Sequence, residues 1–293
     1  MKTISLLYIE LQKGKWDMSK KILFLDIDGT LTEPGSNIPP ESARKAVEKA
    51  KEKGHIIFLC TGRNYAMLEP VYKLGFDGAI GSAGGYIIYG EEVIFDCPMN
   101  EEQRLLVLNT LKDNGVFRTV ECKDGSYTDE GFKQFLEENS SEGGNSELLR
   151  WRKQIEESLD IRPMSEYDGA PVYKVVYMSP SKDYLDEPKK ILGNDFNIIM
   201  QEPDKFGITN GEIVNKIFDK GKAVIKVCEY MGIDIKDSIG FGDSMNDLEM
   251  IQQVGYSVVM ENGSDPLKKL ADYVAPKVTE DGLYLAFEKL ELI

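Results

Sequence analysis

Apolar residues cluster in short runs along this chain, and each run stops at a polar turn. Ile22–Leu25 ends at Asp26, Ile56–Cys60 at Thr61-Gly62-Arg63-Asn64, and Ser238–Phe241 at Gly242-Asp243-Ser244-Met245-Asn246-Asp247. Short continuous runs of this kind are the signature of strands buried on both faces of a parallel sheet. Between them the period changes. Ala43, Ala46, Val47 and Ala50 share one helical face over Glu41–Lys53, and Gly54 follows as a stop. Strand, helix and strand in that order make a βαβ unit, so the first two strands pair in parallel and Thr61 lies beside Asp26. A helix over Ala66–Lys73 and a strand from Ala79 to Gly81-Ser82 continue the rhythm.

The texture changes from Tyr86. Tyr86–Tyr89 and Val93–Asp96 flank Gly90-Glu91-Glu92 as a hairpin, and Asp124-Gly125 and Asn210-Gly211 mark two more. Asn100 with Gln103 forms a capping box before a helix carrying Leu105, Leu108 and Leu111. Glu137–Glu147 reads as a polar loop and Leu148–Ser158 as a helix. A strand over Val172–Met178, a helix over Lys182–Leu192 and a strand over Asn197–Met200 complete the segment. Hairpins and helices without regular alternation indicate an α+β insert at 85–214. After Lys216 the βα rhythm returns with a helix over Gly221–Met231 and runs to a last helix over Gly282–Leu290. The two outer segments, 18–84 and 215–293, form one discontinuous core. Residues 1–17 have no strong pattern. They read either as an over-extended start, with Met18 the natural first residue, or as a genuine extra strand or arm.

Composition narrows the partners. The 293 residues carry a net charge of −15, which argues against nucleic acid or an anionic membrane surface as a partner. No apolar run approaches the length of a membrane span. Four scattered cysteines without a Cys-x-x-Cys suit a reduced cytoplasmic protein with buried free thiols. A single histidine, His55, excludes His-based zinc sites, and a structural place at a strand start suits it better than a place in a Ser-His-Asp triad. Acid–base work therefore falls to carboxylates. The expected state is a monomer or a homodimer.

Three strand ends carry the candidate chemistry. In open α/β sheets ligands bind just past the carboxyl ends of the strands. Asp26, Asp28, Thr61, Asp243, Asn246 and Asp247 all fall there, with Lys220 opening the helix before the last of these strands. The set suits phosphoryl transfer. Asp26 and Asp243 offer the hard oxygen ligands that Mg²⁺ takes, Thr61 a hydrogen bond to a phosphoryl oxygen, and Lys220 a positive charge. Arg63 either reaches substrate or pairs with a core carboxylate. An EF-hand reading of Asp26-Ile27-Asp28 fails, since its glycine and closing glutamate positions hold Leu31 and Asn37. Rossmann and Walker phosphate loops are absent.

With these motifs the chain resembles the haloacid-dehalogenase (HAD)-like hydrolase superfamily, and within it the Cof-like phosphatases with a type IIB cap. The motifs are Asp26-Ile27-Asp28-Gly29-Thr30, Thr61-Gly62-Arg63, Lys220-Gly221 and Gly242-Asp243-Ser244-Met245-Asn246-Asp247, in order. The long interval between Thr61 and Lys220 is where that family inserts its cap. The resemblance implies an α/β fold with a Rossmann-like parallel-sheet core and an inserted α+β cap. It implies Asp26 as nucleophile, forming an aspartyl-phosphate, and Asp28 as acid and base. Mg²⁺ would be held by Asp26, the Asp28 backbone carbonyl and Asp243, with Asp247 acting through a metal-bound water. Thr61, Gly62, Arg63, Lys220 and Asn246 would meet the phosphoryl group or the substrate. The implied substrate is a small phosphorylated metabolite, a sugar phosphate first and a flavin or pyridoxal phosphate next. A phosphosugar mutase of the same fold and a non-catalytic phosphometabolite-binding regulator are the alternatives. A binder has no need of Asp28. Where relatives carry Asn-Gly-Ala the chain reads Gly81-Ser82-Ala83-Gly84-Gly85. Arg118, Arg150, Arg162 and Lys174 are candidate selecting residues in the cap.

Overall fold

A computed structural model describes residues 20–132, 134, 161–200 and 207–293. The expected extension 1–17, the loop 137–147, the helix 148–158 and Arg150 lie outside the described residues. Two sheets organise the rest. Eight strands form the first, in the order β14 (Tyr273–Ala275), β13 (Tyr256–Met260), β12 (Ser238–Gly242), β1 (Ile22–Leu25), β2 (Ile56–Cys60), β3 (Gly78–Gly81), β4 (Tyr86–Tyr89) and β5 (Glu92–Asp96). The first six pair in parallel and the last two are antiparallel. The fold is α/β with a parallel-sheet core, as the alternating runs require.

The central strands are buried on both faces, and alternate residues serve two cores. Leu23, Leu25, Ile57, Leu59, Ile239 and Phe241 pack on α1 (Glu41–Glu52), α2 (Tyr65–Tyr72) and α8 (Gly282–Lys289). Ile22, Phe24, Phe58 and Cys60 pack on α5 (Lys220–Met231), α6 (Leu248–Gln253) and α7 (Asp265–Lys268). The strand order reverses at β1. The chain fills one side with β2 and β3, then returns after the insert to fill the other with β12, β13 and β14. That switch point opens a crevice at the carboxyl ends of β1 and β12. His55 is structural, its Nδ1 accepting the Lys21 backbone N–H at 2.9 Å. Burial pushes the thiols of Cys122 and Cys228 up to about 12, and no thiol among the described residues is paired.

The second sheet runs β10 (Phe196–Met200), β11 (Thr209–Asn215), β9 (Val172–Ser179), β6 (Phe117–Cys122), β7 (Gly125–Thr128) and β8 (Ile161–Pro163). One face is apolar. Val120, Val175, Tyr177 and Ile213 pack there on α3 (Glu101–Asp113) and α4 (Asp186–Leu192). The capping box holds: Gln103 N–H donates to Asn100, whose own N–H donates to the Gln103 side chain. The opposite face carries Thr119, Glu121 and Lys174, all buried and all polar.

Three expectations are corrected. The hairpin Tyr86–Asp96, assigned to the insert, is hydrogen-bonded onto β3 and extends the first sheet, because β3 would otherwise be an open edge. Asn210-Gly211 is not a turn. Both residues lie inside β11, where Gly211 faces Met200 and a side chain would strike the Ile199 carbonyl. In α3 the inward residues are Val107, Leu108 and Leu111, and Leu105 is exposed.

Phe58 is fully buried against Phe24 and Tyr89, with ring centroids 5.8 and 5.9 Å away. Phe58→Ala is expected to lower the unfolding free energy by about 3–5 kcal/mol in a denaturant titration. A loss under about 1 kcal/mol would show that this face of the sheet is not packed as described.

Candidate active site

Asp26 follows the last residue of β1, and its N–H donates to the Phe241 carbonyl on β12. Its carboxylate therefore sits at the crevice, 4% exposed. Lys220, the first residue of α5, projects into the same place and is itself buried. Its Nζ donates to Asp26 Oδ1 at 2.7 Å, to Asp247 Oδ1 at 2.6 Å and to Asn246 Oδ1 at 3.4 Å. Asp247 Oδ2 accepts the backbone N–H groups of Asp243 and Ser244 at 3.0 and 3.2 Å. One carboxylate thus fixes both the lysine and the turn carrying Asp243.

This closeness depends on two glycines. Gly29 has φ +89°, and a Cβ there would fall 2.3 Å from Asp243 Oδ2. At Gly242 a Cβ would lie 2.6 Å from the Asp247 carboxylate. The Gly29 turn is held from the far side by Asn262, whose Nδ2 donates to the Gly29 carbonyl at 2.8 Å. Sequence reading missed Asn262, because a lone Asn in a turn carries no pattern.

Electrostatics point to a cation. Asp26, Asp243 and Asp247 each offer a ligand oxygen, all within 4.8 Å of one another. Three carboxylates against one ammonium leave the cluster short of positive charge. Burial, reinforced by the charge of Asp247, pushes the Asp26 carboxyl up to about 7 although Lys220 opposes it. Asp243 is raised for the same reasons, burial first and then Asp26 and Asp247. Asp243 Oδ1 is buried without a hydrogen-bond partner. Buried oxygens of this kind fit a hard divalent ion such as Mg²⁺. The Asp28 carboxylate points elsewhere and is not part of the cluster.

Arg63 settles the choice left open by its sequence. Its Nε and Nη2 donate to the two Asp28 oxygens at 2.8 and 2.7 Å, and the rest of the guanidinium bonds Asn37 and the Ser36 and Met67 carbonyls. It pairs with a core carboxylate. Where the resemblance implies a contact with substrate, the residue is 3% exposed and its guanidinium is engaged by these partners among the described residues. Thr61 Oγ1 accepts the Arg63 backbone N–H at 3.1 Å. Ser82 and Ala83, at φ 50° and 57°, bracket this turn by donating their N–H groups to the Arg63 and Thr61 carbonyls.

Among the cap candidates, only Lys174 is bonded to this site in the described residues, donating to the Gly62 carbonyl at 2.9 Å. Arg118 is turned to Asp129 and the Leu108 carbonyl, and Arg162 lies over the Tyr127 ring. Glu121 and Glu212, which flank Lys174, escaped sequence reading because strand pairing alone brings them together.

The family model described as haloacid dehalogenase-like hydrolase matches residues 23–287. The chain belongs to this family. It is therefore a hydrolase, and the resemblance to the Cof-like phosphatases holds over nearly its whole length. It is 27% identical to YkrA of Bacillus subtilis (strain 168), over 94% of this chain and 100% of that one. Its identity with the 5-amino-6-(5-phospho-D-ribitylamino)uracil phosphatase YwtE of the same organism is 26%, covering 92% and 98%. The solved structure of the HAD subclass IIB sugar phosphatase BT4131 superposes with a TM-score of 0.72 at 24% identity, over 94% of this chain and 100% of that one. In this hydrolase the parallel sheet is the core and the six-stranded sheet belongs to the inserted α+β cap.

The raised Asp26 gives a pH dependence with a definite sign. Without metal, the folded protein holds this proton up to about pH 7, against 3.8 for an unperturbed Asp. The folded state binds more protons than the unfolded chain across that window, so Asp26 costs more stability as pH rises. In chelator, the melting temperature of the native protein minus that of Asp26→Asn should fall as pH climbs from about 4.5 to 8. Excess Mg²⁺ should flatten the slope, because a bound cation favours the ionised carboxylates. A difference that rises with pH in chelator would contradict the described burial.

Proposed function

We propose that this hydrolase is a Mg²⁺-dependent phosphatase that cleaves the phosphomonoester of a small metabolite through an aspartyl-phosphate on Asp26. The observation that carries the reading is Lys220. A buried ammonium 2.7 Å from Asp26 Oδ1 holds that carboxylate at the strand end, where a phosphoryl group would enter. Asp26 and Asp243 would hold the ion, with the Asp28 backbone carbonyl as the further ligand that the family resemblance implies and Asp247, whose oxygens are engaged by Lys220 and two backbone N–H groups, acting through a metal-bound water. When bound, Mg²⁺ neutralises charge on the carboxylates and on the phosphoryl oxygens.

The chain's own residues then divide the work. Asp26 Oδ bonds to phosphorus as the bond to the leaving oxygen breaks. Asp28 gives that oxygen a proton, then takes one from the water that attacks phosphorus and frees Asp26. Both Asp28 oxygens face Arg63 in the described arrangement, so proton transfer requires one of those contacts to be released. Thr61 and Lys220 bind the phosphoryl oxygens, and Asn246 and Gly62 border them.

The cap, expected at 85–214, would comprise the six-stranded sheet and its helices, and the pairing of Tyr86–Asp96 onto β3 supports leaving that hairpin with the core. It would exclude water and select the leaving group. The substrate class follows the relatives: sugar phosphates first, and phosphorylated flavin precursors next, on the model of the ribitylaminouracil phosphatase. No helix among the described residues is long and apolar enough to cross a membrane. The free cysteines among the described residues suit a reducing cytoplasm.

Asp26→Asn should lower turnover of phosphate esters by a factor on the order of 10⁴ or more in the presence of Mg²⁺. Chelation should abolish turnover, and isotope-labelled water should leave its label in the released phosphate. Turnover that survives either the substitution or the chelator, or phosphate free of label, would overturn the reading.

A further inference from the structure

Lys174 lies on β9, in the six-stranded sheet, yet its ammonium reaches the turn after β2 in the other sheet. The side chain is fully buried. Its Nζ donates to the Gly62 carbonyl at 2.9 Å and sits 2.7 Å from Glu212 Oε1 and 3.3 Å from Glu121 Oε2. Both glutamates come from strands beside β9. Glu121 is directly opposite Lys174, and Glu212 is diagonal to it, since Val214 holds the opposite position.

The carbonyl that Lys174 grips belongs to the peptide unit joining Gly62 to Arg63. The other pole of that unit, the Arg63 N–H, donates to Thr61 Oγ1 at 3.1 Å. A planar peptide cannot turn one pole without the other. Holding the carbonyl therefore holds the N–H on the threonine oxygen. A hydroxyl has one proton to donate and lone pairs to accept with. With Arg63 N–H on the oxygen, the threonine proton is left to point at another acceptor, the place where a phosphoryl oxygen is expected. The same turn carries the guanidinium that grips Asp28.

We infer that Lys174 is a positioning residue for phosphoryl transfer, which orients Thr61 and the Arg63–Asp28 pair through the Gly62–Arg63 peptide when the cap sheet is seated on the core. This inference rests on the phosphatase reading above. Glu121 and Glu212 belong to the same sheet as Lys174 and travel with it. If the sheets part, the ammonium keeps both carboxylates and loses one carbonyl, so the contact breaks without stranding a buried charge. Other contacts seat the two sheets independently. Asn64 Nδ2 donates to Ser126 Oγ at 3.1 Å, the Ala66 N–H to the Lys123 carbonyl at 3.0 Å, and Tyr173 to Asp96 at 2.6 Å.

The test compares Lys174→Met, made together with Glu121→Gln and Glu212→Gln so that no buried charge is left alone, with the native protein. The substrate is p-nitrophenyl phosphate, whose flat leaving group needs no cap recognition. A positioning role predicts that kcat falls about ten-fold or more with KM changed by less than about two-fold. Equal kcat in the two proteins would overturn the inference, as would a change confined to KM. Lys174→Arg keeps the charge between its glutamates and covers the case in which the triple variant does not fold. It should lose kcat in part, because a planar fork replaces a point donor at the carbonyl. Full kcat in Lys174→Arg, with no folded triple variant, would also overturn it. Native protein that fails to turn over the ester with Mg²⁺ would sink the phosphatase reading itself, whereas an active native protein with unaffected variants sinks only the role of Lys174.

Discussion

One buried ammonium organises this site. Lys220 is 1% exposed and sits between two carboxylates that are also buried. Taking an ammonium out of water costs several kcal/mol, and only close, well-aligned partners offset that. The requirement reaches far along the chain. The start of α5, the end of β1 and the turn after β12 must meet within hydrogen-bonding distance, although the insert separates the first two elements from one another in sequence. Gly29 and Gly242 follow from it, because side chains there would occupy the space of Asp243 and Asp247. Asp243, left with an unpartnered oxygen in the same cluster, is the residue that this economy of charge leaves for a cation.

The hydrophobic contribution is spread differently. Two apolar layers sandwich the eight-stranded sheet, and its central strands β1 and β2 carry only apolar side chains until they end. Chemistry is confined to the crevice because nowhere else along these strands can a carboxylate reach solvent or a ligand. The six-stranded sheet obeys another rule. One face is covered by helices, while the other buries a lysine and a glutamate, with a second glutamate half-buried beside them, that hydrophobic packing would exclude. Such a face is stable only if its charges satisfy one another and it is covered by something polar. The turn after β2 supplies that cover.

The hold of Arg63 on Asp28 bears on how the enzyme is poised. A guanidinium fork on both carboxylate oxygens is among the stronger polar contacts proteins make. It fixes the side chain that the resemblance assigns to proton transfer, and it rests on a turn that is also bonded to Thr61, Ser82 and Lys174. Asp28, Thr61 and the seating of the six-stranded sheet are thus tied to one short segment, 61–63.

Much of the core was legible in the sequence by itself. Short apolar runs ending in Asp, Thr and Gly-Asp placed β1, β2 and β12, since a strand buried on both faces has no other composition available to it. The helix face of α1 followed from its period, and the strand ends located Asp26, Thr61, Asp243 and Asp247. What the tertiary structure decided was pairing at a distance. Whether Arg63 met a ligand or Asp28, whether the hairpin after β3 joined the core or the insert, and whether Asn210-Gly211 turned or ran straight all depended on neighbours remote in the chain. The same holds for Lys174, Glu121 and Glu212. Each alone reads as a solvated charge on a strand, and only the register of β6, β9 and β11 makes them a buried cluster against the Gly62 carbonyl. Local pattern reports which residues prefer burial, but a charge is buried only where another part of the chain arrives to meet it.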